Sequence, residues 1–432
     1  MTEALSGPAE RSFHPARPRH RIALLALAVA MATGNIAMGL FSAVQEQAKA
    51  ELALSDFQLS LLSGLAVSIP LAILAVPVGL IVDRGNRVRL LLWTAVAWTT
   101  GTLLTAVAES MPVLFTARML GGVGASVSTT IAISLASDFS LPANRGRSLL
   151  LLTVGKYAGT ALAFSLGGWL LGHFLAHGGW AGLSAWRSAH LAVGVLSLLL
   201  LLPLARMREP LRQEMAAAAG RSVSETLREL AAYRRFLAPL FLGQIGVMMA
   251  DAAAAVWAAP VLSRTYAASP QEFGSWLGAV IFGAGILGSL AGGFAADAGL
   301  RSGRRGGILT GAVFGSLLAL PAAFFPIAPD TGVFAALIFL LLLGGTITGL
   351  VTATTLAVLL PNDLRGLAIG VFMALGGLVA FGMAPTLVTV VSTALGGEGR
   401  IGLGLAIVGC GASATGCAGF IIARHRAPPP VR

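Results

Sequence analysis

Twelve apolar runs divide this chain, near residues 22–43, 58–82, 90–108, 112–136, 149–173, 188–205, 237–262, 274–296, 307–326, 333–358, 367–391 and 401–423. A helix rises about 1.5 Å per residue, so runs of roughly twenty residues cross a ~30 Å hydrocarbon layer. Inside lipid, only helices and closed barrels satisfy their own backbone polar groups, and these runs lack the two-residue alternation of barrel strands. The expected fold is an all-α membrane protein of twelve transmembrane helices. Charge agrees. Only 11% of residues are charged, against about 25% in soluble domains, so the lipid bilayer is the expected surroundings.

Sidedness follows from the basic residues. Of 29 Lys and Arg, 23 fall on the side of the two termini and four (Lys49, Arg187, Arg264 and Arg400) on the opposite side, while Arg118 and Lys156 lie within runs. Basic loops stay cytoplasmic, so both termini are expected there, at the cell (inner) membrane. The net charge of +11 is spread over these short turns, which argues for topology signals and lipid head groups and against nucleic acid. The first run is too long for a signal peptide and reads as an uncleaved helix.

The longest loop, 206–236, splits the runs six and six. The expected organisation is an N-tail (1–21), a six-helix half (22–205), a cytoplasmic loop, a second half (237–423) and a C-tail (424–432). Ser222 and Glu225 in the loop form a capping-box pattern, and Leu227, Leu230 and Ala231 recur at helical spacing, which predicts a surface helix. The halves echo each other. Gly79 stands four residues before Asp83, followed by Arg84 and Arg87; Gly293 stands four before Asp297, followed by Arg301, Arg304 and Arg305. Thr129-Thr130-Ile131-Ala132 matches Thr354-Thr355-Leu356-Ala357, Asp138 matches Asp363, and Asn35 aligns with Asp251. Two six-helix repeats about an axis along the membrane normal make a transporter architecture.

On these motifs the chain resembles the major facilitator superfamily over nearly its whole length, loosely nearest the spinster-like branch. Gly79, Asp83, Arg84 and Arg87 occupy that family's loop motif, with Asn86 where its second glycine belongs; asparagine tolerates a left-handed backbone there. Arg118-Met119-Leu120-Gly121-Gly122-Val123-Gly124 resembles the family's fourth-span motif, and Leu54-Ser55-Asp56-Phe57-Gln58 the spinster-like entry to the second span. Asn35 and Ala125 stand where that branch usually carries acids. The resemblance implies alternating access and a gate latch at Gly79, Asp83, Arg84 and Arg87, with a weaker copy at Gly293, Asp297 and Arg304.

Ionisable groups inside spans are costly and therefore informative. Asp251 lies near mid-membrane on the seventh span and is the candidate proton-coupling carboxylate, the alternative being an ion pair with a Lys or Arg. Arg118 and Lys156 are candidate linings for an anionic or polar part of the solute. Their alternatives are bonding to backbone carbonyls and snorkelling to the interface. Asn35 and Gln244 offer neutral hydrogen bonds. Trp257 reads as a solute-stacking or packing residue. Gly155, Gly159, Gly167, Gly168 and Gly172 predict close helix contacts on the fifth span.

No phosphate-binding loop occurs, and no His/Cys cluster has metal spacing. Cys410 and Cys417 read as packing residues. The expectation is a monomeric secondary transporter, not an enzyme, without cofactor, moving a small organic solute. Protons are the candidate coupling ion, and efflux is preferred because the spans are sparse in polar residues. The rival readings are an uncoupled facilitator of the same fold and a non-transporting sensor or assembly protein.

Overall fold

The computed structural model describes residues 18–141, 144–212 and 223–428. Six long helices come first: α1 (Pro18–Leu52), α2 (56–84), α3 (Arg87–Val107), α4 (Met111–Phe139), α5 (Arg145–His177) and α6 (Ala185–Ala205). A short helix α7 (Val223–Ala232) follows, then α8 (Arg234–Thr265), α9 (Pro270–Arg301), α10 (Gly307–Ile327), α11 (Thr331–Leu359), α12 (362–394) and α13 (Ile401–Arg426). Twelve of these are long and apolar enough to cross a membrane; α7 is the short one. The protein is an integral membrane protein with an all-helical fold. We call the end of the bundle where α1 starts and α13 ends the terminal end, and the opposite one the distal end.

Local chemistry sets several helix starts. Ser55 and Gln58 form a reciprocal capping box at α2, as Ser269 and Glu272 do at α9; each pair satisfies two amide donors that a helix start leaves open. Helix α1 runs on to Leu52, well past the apolar run that stops at 43, because its polar last turns carry good helix formers that find ionic partners. The expected loop helix is present as α7, although Ser222 lies outside the described residues, and α8 begins at Arg234 rather than 237.

Glycine governs how closely helices approach. Gly155 and Gly159 of α5 lie against the backbone of Ala28 and Ala32 in α1, leaving no room for a side chain. On another face of α5, Gly168 and Gly172 meet Pro270 and Gln271 of α9. Further along the same seam a Cβ on Gly274 or Gly278 would sit 2.6 Å from the carbonyls of Phe164 and Ala161. The glycines expected to be contacts are contacts. Helices α2 and α12 each contain a π-helical turn, Leu61–Leu65 and Gly377–Met383, and the two turns pack on each other, Gly64 facing the carbonyl of Gly382.

The buried core is divided unequally. In the distal half one apolar cluster draws on both sets of six helices, with Phe41, Leu59, Phe164 and Trp186 from the first and Trp257, Phe273, Phe334 and Val388 from the second. Toward the termini the core separates. One cluster there holds residues of the first six helices, among them Leu27, Trp98 and Leu135. Another holds residues of the last six together with Leu230 of α7, among them Leu240, Ile308 and Phe420.

Candidate functional site

Polar chemistry joins the two sets of helices at the distal end. Arg264, in the last turn of α8, reaches between Glu46 of α1 and Asp56 at the start of α2. Its Nε and Nη2 donate to the two Glu46 oxygens at 2.8 Å, and its Nη1 and Nη2 to the two Asp56 oxygens at 2.7 Å. Lys49 donates to Asp56 Oδ1 at 2.6 Å and pairs with Glu398, whose other oxygen accepts the Asp56 backbone N–H at 2.7 Å. The Asp56 side chain is only 3% exposed, so its charge is held by Arg264 and Lys49 rather than by water. Just beneath, Gln45 Nε2 donates to the Val256 carbonyl (2.6 Å), and the hydroxyls of Ser60 and Thr386 meet at 3.2 Å. A second distal cluster stays within the first six helices: Glu51 accepts Trp186 Nε1 and Arg187 Nε, each at 2.6 Å.

At the terminal end the loop motif divides. Gly79, Asp83 and Arg84 lie on α2, but their side chains are outside the described residues. Arg87 is described and buried. Its Nε donates to Glu209 Oε1 at 2.8 Å, its Nη1 pairs with Asp138 and reaches Ser134 Oγ at 3.1 Å, and Glu209 Oε2 accepts the Val88 N–H at 2.8 Å. These contacts tie the start of α3 to the end of α4 and to the chain after α6, all on one side of the molecule. Asn86 does not take a left-handed backbone: with φ −79° and ψ 110° it is the N-cap of α3, its side-chain oxygen accepting the Arg89 N–H. Asparagine is accepted here because it caps a helix. In the second motif copy Gly293 lies on α9, Asp297 is exposed there, and Arg304 lies in the turn beyond; among the described residues Asp297 forms no ion pair with Arg304 or Arg305. Arg305 instead donates to the Ala427 carbonyl at 2.6 Å.

The interior candidates occupy different environments. The carboxylate of Asp251 on α8 lies against Gly345 of α11, where any Cβ would overlap it. Its Oδ1 is shielded and has no hydrogen-bond partner among the described residues. The ion pair with a Lys or Arg weighed for it is not among the salt bridges of the described residues. Gln244, also on α8, accepts from Thr352 Oγ1 of α11 at 3.0 Å. Asn35 turns back on its own helix, donating to the Met31 carbonyl at 2.8 Å.

Arg118 is 6% exposed. Its Nη2 donates to the Met38 carbonyl of α1 at 3.1 Å, and its guanidinium stands 5.0 Å from the Phe41 ring centroid, which is the backbone-bonding alternative. Lys156 is exposed, with Nζ 5.3 Å from the Tyr157 ring centroid. By helical spacing it shares with Thr153 and Thr160 the strip of α5 between the face packed on α1 and the face packed on α9. Trp257 is fully buried and donates to the Pro385 carbonyl at 3.0 Å, a packing residue.

Sequence reasoning missed the distal network. It used Lys49 and Arg264 only as topology counts. The available signal was the alternation of Glu46, Lys49 and Glu51 at the end of α1, with Asp56 just beyond.

The sequence pattern of the Major Facilitator Superfamily matches residues 23–385. The solved structure of a bacterial homologue of the human lysosomal transporter Spinster, inward-facing and unoccupied, is similar with a TM-score of 0.75 at 21% identity, over 96% of each chain. The same homologue, inward-facing and occupied, gives 0.72 at 20% identity, over 95% of this chain and 97% of that one. At such identities the likeness shows the fold. A 3-(3-hydroxy-phenyl)propionate transporter of Escherichia coli (strain K12) is 32% identical over 123 residues, so the match spans only 28% of each chain. The chain belongs to the Major Facilitator Superfamily and is a membrane transporter, not an enzyme.

Proposed function

We propose that this superfamily member moves a small organic solute by alternating access. Two six-helix lobes, 22–205 and 237–423, rock about a path between them. One observation carries the reading: the core is shared between the two sets of helices at the distal end and separate at the terminal end. Two rigid bodies held at one face and parted at the other are what a rocking mechanism requires. The basic residues put both termini in the cytoplasm of an inner-membrane protein. The state described is then closed outside and open inside, with Arg264, Glu46, Asp56, Lys49 and Glu398 as the outer closure. The motif at Gly79, Asp83, Arg84 and Arg87 serves the inner closure in the opposite state.

Asp251 is the coupling carboxylate in this reading. Among the described residues no ion pair has to break for it to take up or lose a proton, and an acid so placed is held there by function rather than by stability. Lys156 receives the anionic or polar end of an amphipathic solute, and the sparse polar lining favours export. The protein works as a monomer. The partial relative carries a phenylpropionate in its name, so short aryl carboxylates are the first solutes to test.

The experiment is a thermal-shift panel of carboxylates, sugars, amino acids, cationic drugs and lysolipids on the purified protein, since a ligand of the folded state raises stability by RT ln(1 + [L]/Kd). Counterflow and pH-gradient-driven transport of each hit in proteoliposomes follow. Counterflow without gradient-driven accumulation would make the protein an uncoupled facilitator. Full gradient-driven transport by Asp251→Asn would remove Asp251 from the coupling role.

A further inference from the structure

The innermost polar contact described between the two lobes lies one residue from the seat of Asp251. Thr346 Oγ1 already donates to the Leu342 carbonyl at 2.9 Å, so at the 3.4 Å contact with Tyr157 it is the tyrosine hydroxyl that donates. Tyr157 belongs to α5 of the first lobe and Thr346 to α11 of the second. The tyrosine ring lies over Gly285 of α9, where a Cβ would run into it. Thr346 is wedged in turn against Gly288 of the same helix. Helix α11 therefore offers two consecutive residues to two tasks: Gly345 to the carboxylate of Asp251, and Thr346 to a hydroxyl from the opposite lobe.

We infer that Tyr157 is a positioning residue that links the protonation of Asp251 to the parting of the lobes, through Gly345 and Thr346 of α11. The inference rests on Asp251 being the coupling acid. A neutral carboxyl can stay in its shielded seat on Gly345, and the Tyr157–Thr346 bond then holds. An ionised one needs water or a partner. The seam between α8 and α11 must loosen to supply it, which draws Thr346 away from Tyr157.

Among the described residues no salt bridge reaches Asp251; Asp363 and Arg365 stand at the terminal-end start of α12, and on α9 Glu272 lies in the first, distal turn with Asp297 and Arg301 toward the terminal end. Helices α11 and 384–394 of α12 carry no titratable residue, and on α13 only the thiols of Cys410 and Cys417 precede the terminal Arg424, His425 and Arg426. On α1 the distal Glu46 and Lys49 are held in the outer network. On α8 itself Arg264 is held there too, and Arg234 and Arg235 stand at the opposite end of the helix. Lys156, with Nζ 5.3 Å from the Tyr157 ring centroid, gives a bound anion access to the same joint.

The test needs no solute. In the full chain, Cys410 and Cys417 are changed to Ser, and spin labels are placed at Arg89→Cys and Arg301→Cys, both exposed near the terminal end. Distances are read in liposomes at a series of pH values from about 5 to about 8. The Tyr157–Thr346 contact belongs to the distally closed state, so its loss lets the distal end part and the terminal end close, and in the parent the terminal-end distance shortens as pH rises. Asp251→Asn loses this response. Tyr157→Phe, which keeps the ring, reduces the pH-driven change in the open-to-closed ratio by about three- to tenfold, the worth of one hydrogen bond. Thr346→Val does the same, and Thr346→Ser restores it. A merely structural tyrosine would lower thermal stability and move the ratio equally at every pH. Tyr157→Phe with the parent's pH response overturns the inference while Asp251 keeps its role. A parent without a pH response, or Asp251→Asn with a full one, overturns the Asp251 reading and the joint with it.

Discussion

Replacing Arg264 with Ala should open the distal end. The guanidinium makes four charge-assisted bonds to two carboxylates of the other lobe, at 2.7–2.8 Å. The two limbs differ in burial. Arg264 and Glu46 are about a fifth exposed, at 22% and 23%, whereas Asp56 is at 3%. Exposed pairs contribute about 0.2–1 kcal/mol, and truncating one partner of a fully buried pair costs roughly 3–5 kcal/mol. The Glu46 limb belongs near the lower figure. The Asp56 limb falls between them, because Lys49 remains beside Asp56. The sum is about 2–3 kcal/mol against the distally closed state, or roughly a 30- to 150-fold shift toward opening. Spin labels at Glu109→Cys and Thr331→Cys, exposed distal positions on opposite lobes, would read this as a second, longer distance population in liposomes. Arg264→Lys, which keeps the charge but not the fork, should fall between parent and alanine variant. If Arg264→Ala lowered the melting temperature yet left the distance distribution unchanged, the network would be a structural brace and the reasoning wrong.

Three further outcomes are expected. Gly345→Ala pushes a methyl into the Asp251 carboxylate and should cost about 1–3 kcal/mol in thermal unfolding, with Asp251→Ala in the same chain recovering part of the loss. Arg87→Ala removes the cation that anchors Glu209; limited trypsin digestion should then cut faster at Arg206 and Arg208, with a stability loss of about 2–4 kcal/mol. Lys156→Met alters an exposed side chain, so stability should stay within about 0.5 kcal/mol. Its affinity for carboxylate hits should fall about tenfold, the scale of one charge-assisted bond, with neutral hits unaffected.

The twelve crossings were legible because each is a local property: a run of apolar residues long enough for hydrocarbon. The glycines of α5 were legible for a related reason, since a glycine in a membrane helix commonly marks the place where a neighbouring backbone comes close. Pairing over long separations was not. Arg264 and Glu46 are 218 residues apart, and nothing in either neighbourhood names the other. The apolar run shows where α1 crosses lipid but not where it ends, because Glu46, Lys49 and Glu51 continue the helix beyond the run. Asn86 was anticipated as a turn former and serves as a cap, a choice the sequence leaves open because asparagine suits both. Arg118 and Lys156 look alike in sequence. Only packing separates a guanidinium turned onto α1 from an ammonium left exposed.

The glycine seam between α5 and α9 bears on how fast such a molecule could move. Interlocked helices carry ridges of side chains that must climb out of their grooves before one element can shift past another. At Gly168, Gly274 and Gly278 the facing atoms are mainly backbone, so there are few ridges to climb, while the Gln271 side chain seated over Gly172 is one knob that must move. The seam resembles a plain bearing more than a gear. A small tilt there exchanges one backbone contact for its neighbour at nearly constant energy. In the proposed rocking the barrier would then lie mainly in the polar contacts at Arg264 and Tyr157 and in the Gln271 side chain over Gly172, and a bulky residue set into the seam would slow exchange between the two states.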